Sequence, residues 1–259
     1  MRYEVSGTTM QTVSIDLEAG ERLYSQTHSM AWMSDTIAMQ THTGGGLFAG
    51  LKRAVGGGTL FITEFTAERA GHIAFAPRFP GQIMPFRLAP GQSLICRKET
   101  FLCAEQSVTL DIAFQQRLGA GFFAGEGFIL QRVTGPGTVF LDLSGEVIEK
   151  TLAPGERLRV HAGHIGMQEP SVETDIQMVR GFRNVIFGGE GLFLATLTGP
   201  GKIWLQSMPI MNLAEEIFRH MPGTEATSEG MGGAVATGVA GAAIGGILGG
   251  MFGGGSDNS

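Results

Sequence analysis

His161 and His164 stand three residues apart across Ala162-Gly163, a spacing that a tight turn would bring to one side. Paired imidazoles can begin a transition-metal site, which also needs further ligands and polar groups behind the histidines. The spacing places no carboxylate beside the pair, and His28, His42, His72 and His220 are scattered. Glu126 and Glu190 each sit in a Gly-Glu-Gly step. Carboxylate pairs do general acid–base work, but a glycine-flanked charge is ordinarily a solvated turn. Cys96 and Cys103 are the only thiols, too few for a structural zinc site or a disulfide scaffold. Reduced thiols on or near strand surfaces are expected. Gly44 to Gly50 contains four glycines around Leu47-Phe48-Ala49 and could suggest phosphate binding. A dinucleotide loop would need a strand before it, a helix after it and an acid about 20 residues on. Gly56-Gly57-Gly58 follows instead, which reads as a β-loop. The chain has no Gly-x-Ser-x-Gly elbow, Walker loop or His-Glu-x-x-His helix. No catalytic, cofactor-binding or metal-binding residue is therefore assigned, and a non-enzymatic protein is expected.

The elements that must carry these residues come in three copies. Leu17-Glu18-Ala19-Gly20-Glu21-Arg22-Leu23, Leu88-Ala89-Pro90-Gly91-Gln92-Ser93-Leu94 and Leu152-Ala153-Pro154-Gly155-Glu156-Arg157-Leu158 match without gaps. Apolar positions stay in step beyond them: Met30, Phe101 and Ile165, then Ile37, Val108 and Val172. Copies two and three keep an offset of 64 residues through Thr134-Gly135-Pro136-Gly137 and Thr198-Gly199-Pro200-Gly201, and on to Val139-Phe140-Leu141 and Ile203-Trp204-Leu205. Turn chemistry alone would not hold a constant offset across intervening apolar columns. In this alignment Glu126 matches Glu190, Asp142 matches Gln206, and His28 falls one column from His164. In copy one the equivalent end reads as Gly56-Gly57-Gly58-Thr59-Leu60-Phe61-Ile62.

Within a copy, short runs rich in β-branched and aromatic residues lie between Gly and Pro clusters, and Leu158-Arg159-Val160-His161 alternates apolar with polar. That is strand-and-turn patterning. The expected fold is all-β: three tandem antiparallel units of sandwich type, over about 17–65, 88–144 and 152–208. They pack on one another because a small sheet cannot bury both faces alone. Residues 70–87 read as a linking hairpin. Asn212 with Glu215 three residues on predicts one short helix over 212–221, stopped by Pro222-Gly223. Residues 1–222 then form one domain and 223–259 a Gly/Ala-rich tail.

Composition narrows the partners. Gly makes up 41 of 259 residues, which disfavours a helical fold. The balance of 18 basic and 24 acidic residues gives a net charge of −6, and no basic stripe appears. Nucleic-acid binding rests on phosphate neutralisation, so nucleic acid is not an expected partner. The start of the chain shows no signal-peptide apolar region, so a cytoplasmic location is expected. From Gly230 to Ser256 no residue is charged. Length would suffice for a membrane span, but the flanks Glu225, Glu229 and Asp257 are acidic and no Lys, Arg, Trp or Tyr anchors them. A low-complexity tail is the first reading, and a reversible membrane or protein contact the second.

Ala74-Phe75-Ala76-Pro77, Pro80-Gly81, Leu88-Ala89-Pro90-Gly91 and Thr100-Phe101-Leu102-Cys103-Ala104, in that order, resemble the central stretch of the mitochondrial-biogenesis "altered inheritance of mitochondria" family. Phe128-Ile129-Leu130, Thr134-Gly135-Pro136-Gly137-Thr138-Val139-Phe140-Leu141 and Ala214-Glu215-Glu216-Ile217 extend the resemblance over roughly residues 1 to 221. It implies a fold similar to the tryptophan RNA-binding attenuation protein, with units of shortened double-stranded β-helix type. It also implies a homo-oligomer, a trimer in the simplest case. Its eukaryotic members imply a role in mitochondrial inner-membrane organisation, and it brings no catalytic residues. The expected function is a β-scaffold or binding module. The alternative is a small-molecule or nucleic-acid binder that uses clefts between units.

Overall fold

The Leu-x-x-Gly segments close three reversals in the same way. Gly20, Gly91 and Gly155 take φ of +87°, +77° and +76°, a left-handed conformation that glycine reaches without a Cβ penalty. The next side chain folds back on the turn. Glu21 accepts the N–H of Glu18 at 2.8 Å, Gln92 that of Ala89 at 3.0 Å and Glu156 that of Ala153 at 2.8 Å. This shared bond is why the acid or amide recurs in the sequence motif. The computed structural model describes residues 1–26, 29–42, 62–116, 128–178 and 193–210, with 212, 213 and 217.

A leading strand, β1 (Arg2–Ser6), precedes three units of six strands each. Unit one holds β2 (Thr12–Leu17), β3 (Arg22–Gln26), β4 (Met30–Met33), β5 (Ile37–His42), β6 (Ile62–Ala67) and β7 (Gly71–Phe75). Unit two holds β8 (Gly81–Leu88), β9 (Ser93–Arg97), β10 (Phe101–Glu105), β11 (Thr109–Gln116), β12 (Phe128–Thr134) and β13 (Gly137–Ser144). Unit three holds β14 (Val147–Leu152), β15 (Arg157–His161), β16 (Ile165–Gln168), β17 (Glu173–Met178), β18 (Phe193–Thr198) and β19 (Gly201–Gln206). The third strand of every unit carries a bulge at the same place, at Ala31, Leu102 and Gly166. A bulge adds an unpaired residue and bends the strand, so its recurrence is a structural signature of the repeat.

Each unit divides its strands between two sheets. The sheet orders are β1-β2-β7-β4, then β5-β6-β3-β10-β13-β8, then β11-β12-β9-β16-β19-β14, then β15-β18-β17. The two central sheets are therefore half one unit and half the next. The join is always the second strand of one unit against the third strand of its successor. Cys103 of β10 faces Ser25 of β3, and Met167 of β16 faces Cys96 of β9. Three cores fill the spaces between successive sheets. The first includes Val13, Ile15, Phe65 and Phe75, the second Tyr24, Val133, Val139 and Leu141, and the third Phe128, Leu130, Leu197 and Ile203. Along β13, Val139 and Leu141 enter the second core while Phe140 enters the first. A sheet covered on both faces needs apolar side chains at odd and even positions alike, which accounts for Val139-Phe140-Leu141 and Phe128-Ile129-Leu130. In the first sheet β2 has one buried face and alternates accordingly: Val13, Ile15 and Leu17 are buried while Asp16 is exposed.

Two expectations change. Residues 70–87 do not form a hairpin, because β7 pairs with β2 and β4 while β8 pairs with β13. The segment between them crosses from one sheet to another, and its Pro77 and Pro80 supply no backbone N–H for a hairpin ladder. The end of unit one is also not at Gly56-Gly57-Gly58. Ala67 donates to the Glu21 carbonyl at 3.0 Å as Gly135 does to Gln92 at 3.0 Å and Gly199 to Glu156 at 2.9 Å. The turn from Ala67 to Gly71 is thus the counterpart of Gly135-Pro136-Gly137, and the unit closes on β7. Of the helix expected over 212–221, only 212, 213 and 217 are described, too few to establish it. Its remainder, the tail 223–259, Gly44 to Gly50 and Gly56-Gly57-Gly58 lie outside the described residues.

Candidate functional site

The turn carrying His161 and His164 is a short 3-10 segment, Ala162–His164, between β15 and β16. Lys98–Thr100 is its counterpart in unit two. The two turns meet the ends of neighbouring strands and form a polar cluster at the boundary of units two and three. Arg97, the last residue of β9, has a side chain only 6% exposed. Its Nε donates to Glu99 Oε2 at 3.1 Å, its Nη1 donates to the Gly163 carbonyl at 3.3 Å, and its Cζ lies 5.3 Å from the centre of the Phe128 ring. A buried guanidinium is tolerated only with such partners around it.

Gln206, at the end of β19, completes the cluster. Its Nε2 donates to the same Gly163 carbonyl at 2.9 Å, and its Oε1 accepts the N–H of Ser144 at 3.1 Å. The backbone carbonyl of Gln206 lies 2.8 Å from His164 Nδ1. A carbonyl can only accept, so Nδ1 carries the proton there. His161 meets His164 edge to face with ring centres 5.8 Å apart. Burial, then the neighbouring His164 and Arg97, hold the His161 imidazole below its usual range. An imidazole kept neutral could bind a metal, but one nitrogen of His164 is already committed to a carbonyl. Among the described residues no group of three or more His, Cys, Asp or Glu side chains converges on a common point.

The other candidates disperse. His28, Glu126, Glu190 and His220 lie outside the described residues, as does the side chain of His42. Ser34 Oγ accepts the His72 backbone N–H and lies 3.0 Å from its Nδ1, at the edge of unit one. Cys96 and Cys103 are fully buried on neighbouring strands of different sheets. Burial pushes the Cys96 thiol up to about 12 and that of Cys103 well above its usual range. Protonated buried thiols are packing groups, not nucleophiles. The aligned pair Asp142 and Gln206 takes two different roles. Gln206 bridges units two and three. Asp142 is crowded by protein yet keeps some solvent contact, and burial pushes its carboxyl up to about 7 against the opposing pull of Arg78.

Two residues escape sequence reasoning. Arg97 ends the apolar run Leu94-Ile95-Cys96, and the charge that opens Arg97-Lys98-Glu99 there is the one available signal. Gln131 of β12 is fully buried opposite Cys96, and neither of its side-chain polar atoms has a hydrogen-bond partner among the described residues.

This architecture is shared. The chain is similar over 219 residues to an uncharacterised protein of Streptococcus pyogenes serotype M6, at 29% identity, covering 81% of this chain and 86% of that one. A crystal structure of a Streptococcus pyogenes protein matches with a TM-score of 0.70 and 27% identity, over 85% of this chain and 99% of the other. The family model described as mitochondrial biogenesis AIM24 matches residues 3–208, which contain all three units, and the chain belongs to that family.

Proposed function

We propose that the protein is a non-enzymatic β-scaffold that works by binding and assembly, located in the cytoplasm with a peripheral membrane contact. The observation that carries this reading is what the reactive side chains do. Arg97 donates to the Gly163 carbonyl and Gln206 accepts the Ser144 N–H across a unit boundary, while Gln206 and His164 bind backbone carbonyls within unit three. Glu105 and Glu169 accept the N–H groups of Thr138 and Lys202 at 3.0 and 2.9 Å, each beside a turn glycine. Both thiols are buried in the sheets. Side chains of chemical use are thus spent on joining strands. The family's description, mitochondrial biogenesis, fits a role in organising membranes. The uncharged stretch 230–256 supplies a contact. Its flanks Glu225, Glu229 and Asp257 are acidic and no Lys, Arg, Trp or Tyr anchors them, so the contact invoked is interfacial.

Flotation with phosphatidylcholine vesicles tests this. The full chain should float, and a chain ending at Pro222 should stay with the soluble fraction. Equal behaviour of the two removes the membrane contact. A second reading, a small-molecule binder, is favoured by Gln131, whose buried amide would suit a small polar ligand. Native mass spectrometry of freshly purified protein checks it: a retained non-covalent mass supports the binder, and a bare chain mass removes it.

A further inference from the structure

Gln131 breaks the repeat. The pairs Ser25–Thr63, Cys96–Gln131 and Val160–Ala195 occupy equivalent positions in the three units. The next strand out adds Thr41, Ile112 and Ile176 to the same rows. In unit one the polar row is satisfied, since Thr41 Oγ1 and Thr63 Oγ1 lie 3.2 Å apart. In unit three Ala195 has no polar side-chain atom. Unit two places an amide there at 0% exposure, on the face that carries Cys96 and Val133 into the second core. Neither its Nε2 nor its Oε1 has a hydrogen-bond partner among the described residues. An orphaned buried amide loses its hydration without compensation and calls for a cause.

A second departure lies beside it. β5 runs against β6, and β17 against β18, through six residues without a shift of register. β11 instead shifts against β12 between Ile112, which faces Gln131, and Phe114, which faces Leu130. The extra residue is Ala113. Bulges interrupt the ladder and re-aim side chains, and they concentrate next to functional sites. β11 is also the outermost strand of the third sheet, held there only by β12, and Ile112, Ala113 and Phe114 are half-buried. An edge strand with a broken ladder opens at lower cost than the sheet behind it. The unit with the orphaned amide is thus the unit whose flanking edge strand is bulged. We propose that Gln131 and the bulge at Ala113 form a binding site for a small neutral ligand with a donor and an acceptor side by side, as on a cyclic amide or an amino-substituted nitrogen ring. The primary amide presents N–H and C=O in one plane, and a flat edge of that kind answers both. Neutrality follows from the apolar second core, which would penalise a buried charge.

This inference rests on the small-molecule reading and names its ligand class. The probe is 2-pyridone, and its control is N-methyl-2-pyridone, which lacks the donor. At ten times its dissociation constant, 2-pyridone should slow amide exchange at Ile112 and Ala113 of the full chain about tenfold. N-methyl-2-pyridone should leave that exchange unchanged. Gln131→Met, checked for an intact thermal transition, should lose the protection. No protection by 2-pyridone, equal protection by both compounds, or protection that survives Gln131→Met each overturns the site. Native mass spectrometry reads separately: a retained mass found equally in Gln131→Met keeps the small-molecule reading and discards this site.

Discussion

Arg97 Nη1 and the carbonyl oxygen of Gly163 lie 3.3 Å apart across the boundary between units two and three. Gln26, at the equivalent end of β3, donates to the Lys98 carbonyl at 3.3 Å across the boundary between units one and two. The last residue of the second strand thus clasps the 3-10 turn of the next unit at both internal joints. Arg97→Met should lower stability by about 2 kcal/mol, because a buried charge-assisted bond is lost while the stem's packing is kept. Chemical denaturation checks this, and an unchanged midpoint would show that Gln206 satisfies Gly163 alone.

Gln131 predicts the opposite sign. A fully buried amide with no partner among the described residues gives up its hydration for nothing. Gln131→Met keeps the volume and removes the polar atoms, so it should raise stability by about 1 kcal/mol. A thermal or denaturant midpoint that falls would mean the amide is satisfied in solution.

Two glycines should respond differently to the same change. A Cβ on Gly135 would lie 2.6 Å from the Ala89 carbonyl oxygen and 2.7 Å from the Leu88 Cβ, both parts of the turn it docks on. Gly135→Ala should cost roughly 3 kcal/mol or prevent folding. Gly91, at φ +77°, has open space around a Cβ. Gly91→Ala should therefore cost only the backbone strain, about 1 kcal/mol. Paired denaturation curves decide, and equal costs would contradict the docking of the two turns.

Asp142 gives the fold a pH dependence. Its carboxyl is raised from 3.8 to about 7, first by burial, so the native state holds a proton that the unfolded chain has released. Stability should then fall as pH rises from about 4 to about 7, and level off above. Asp142→Asn should flatten that slope and gain on the order of 2 kcal/mol at pH 8. His161 acts in the other direction below its ordinary range, since a depressed imidazole penalises the native state once the unfolded chain is protonated. His161→Gln should lessen the loss below about pH 6. Stability measured across pH for the two variants separates these contributions.

Leu88-Ala89-Pro90-Gly91 and its two relatives made the repeat legible, because a reversal is built from contiguous residues: a glycine for the left-handed position and an acceptor to take the opening N–H. The 64-residue offset held through the 3-10 turns at 98–100 and 162–164, the matching strands and the docking glycines. Unit one was misread where it departs from the others, since its closing turn uses Ala67 in place of Gly135 and carries no Gly-Pro-Gly. Arg97 was visible only as a charge at the end of an apolar run. That it clasps Gly163 depends on a turn 66 residues away.

By itself the sequence determined the period, the all-β character and the turn chemistry, because each is written in neighbouring side chains. Only the tertiary structure decided that a unit is split between two sheets and that residues 71–75 and 81–88 belong to different ones. It alone decided that β4 and β15 are left at open edges. The physical reason is that a strand's backbone offers the same donors and acceptors whatever its side chains. Which strand it joins is settled by the packing of faces far apart in the chain, and that leaves no local period to read.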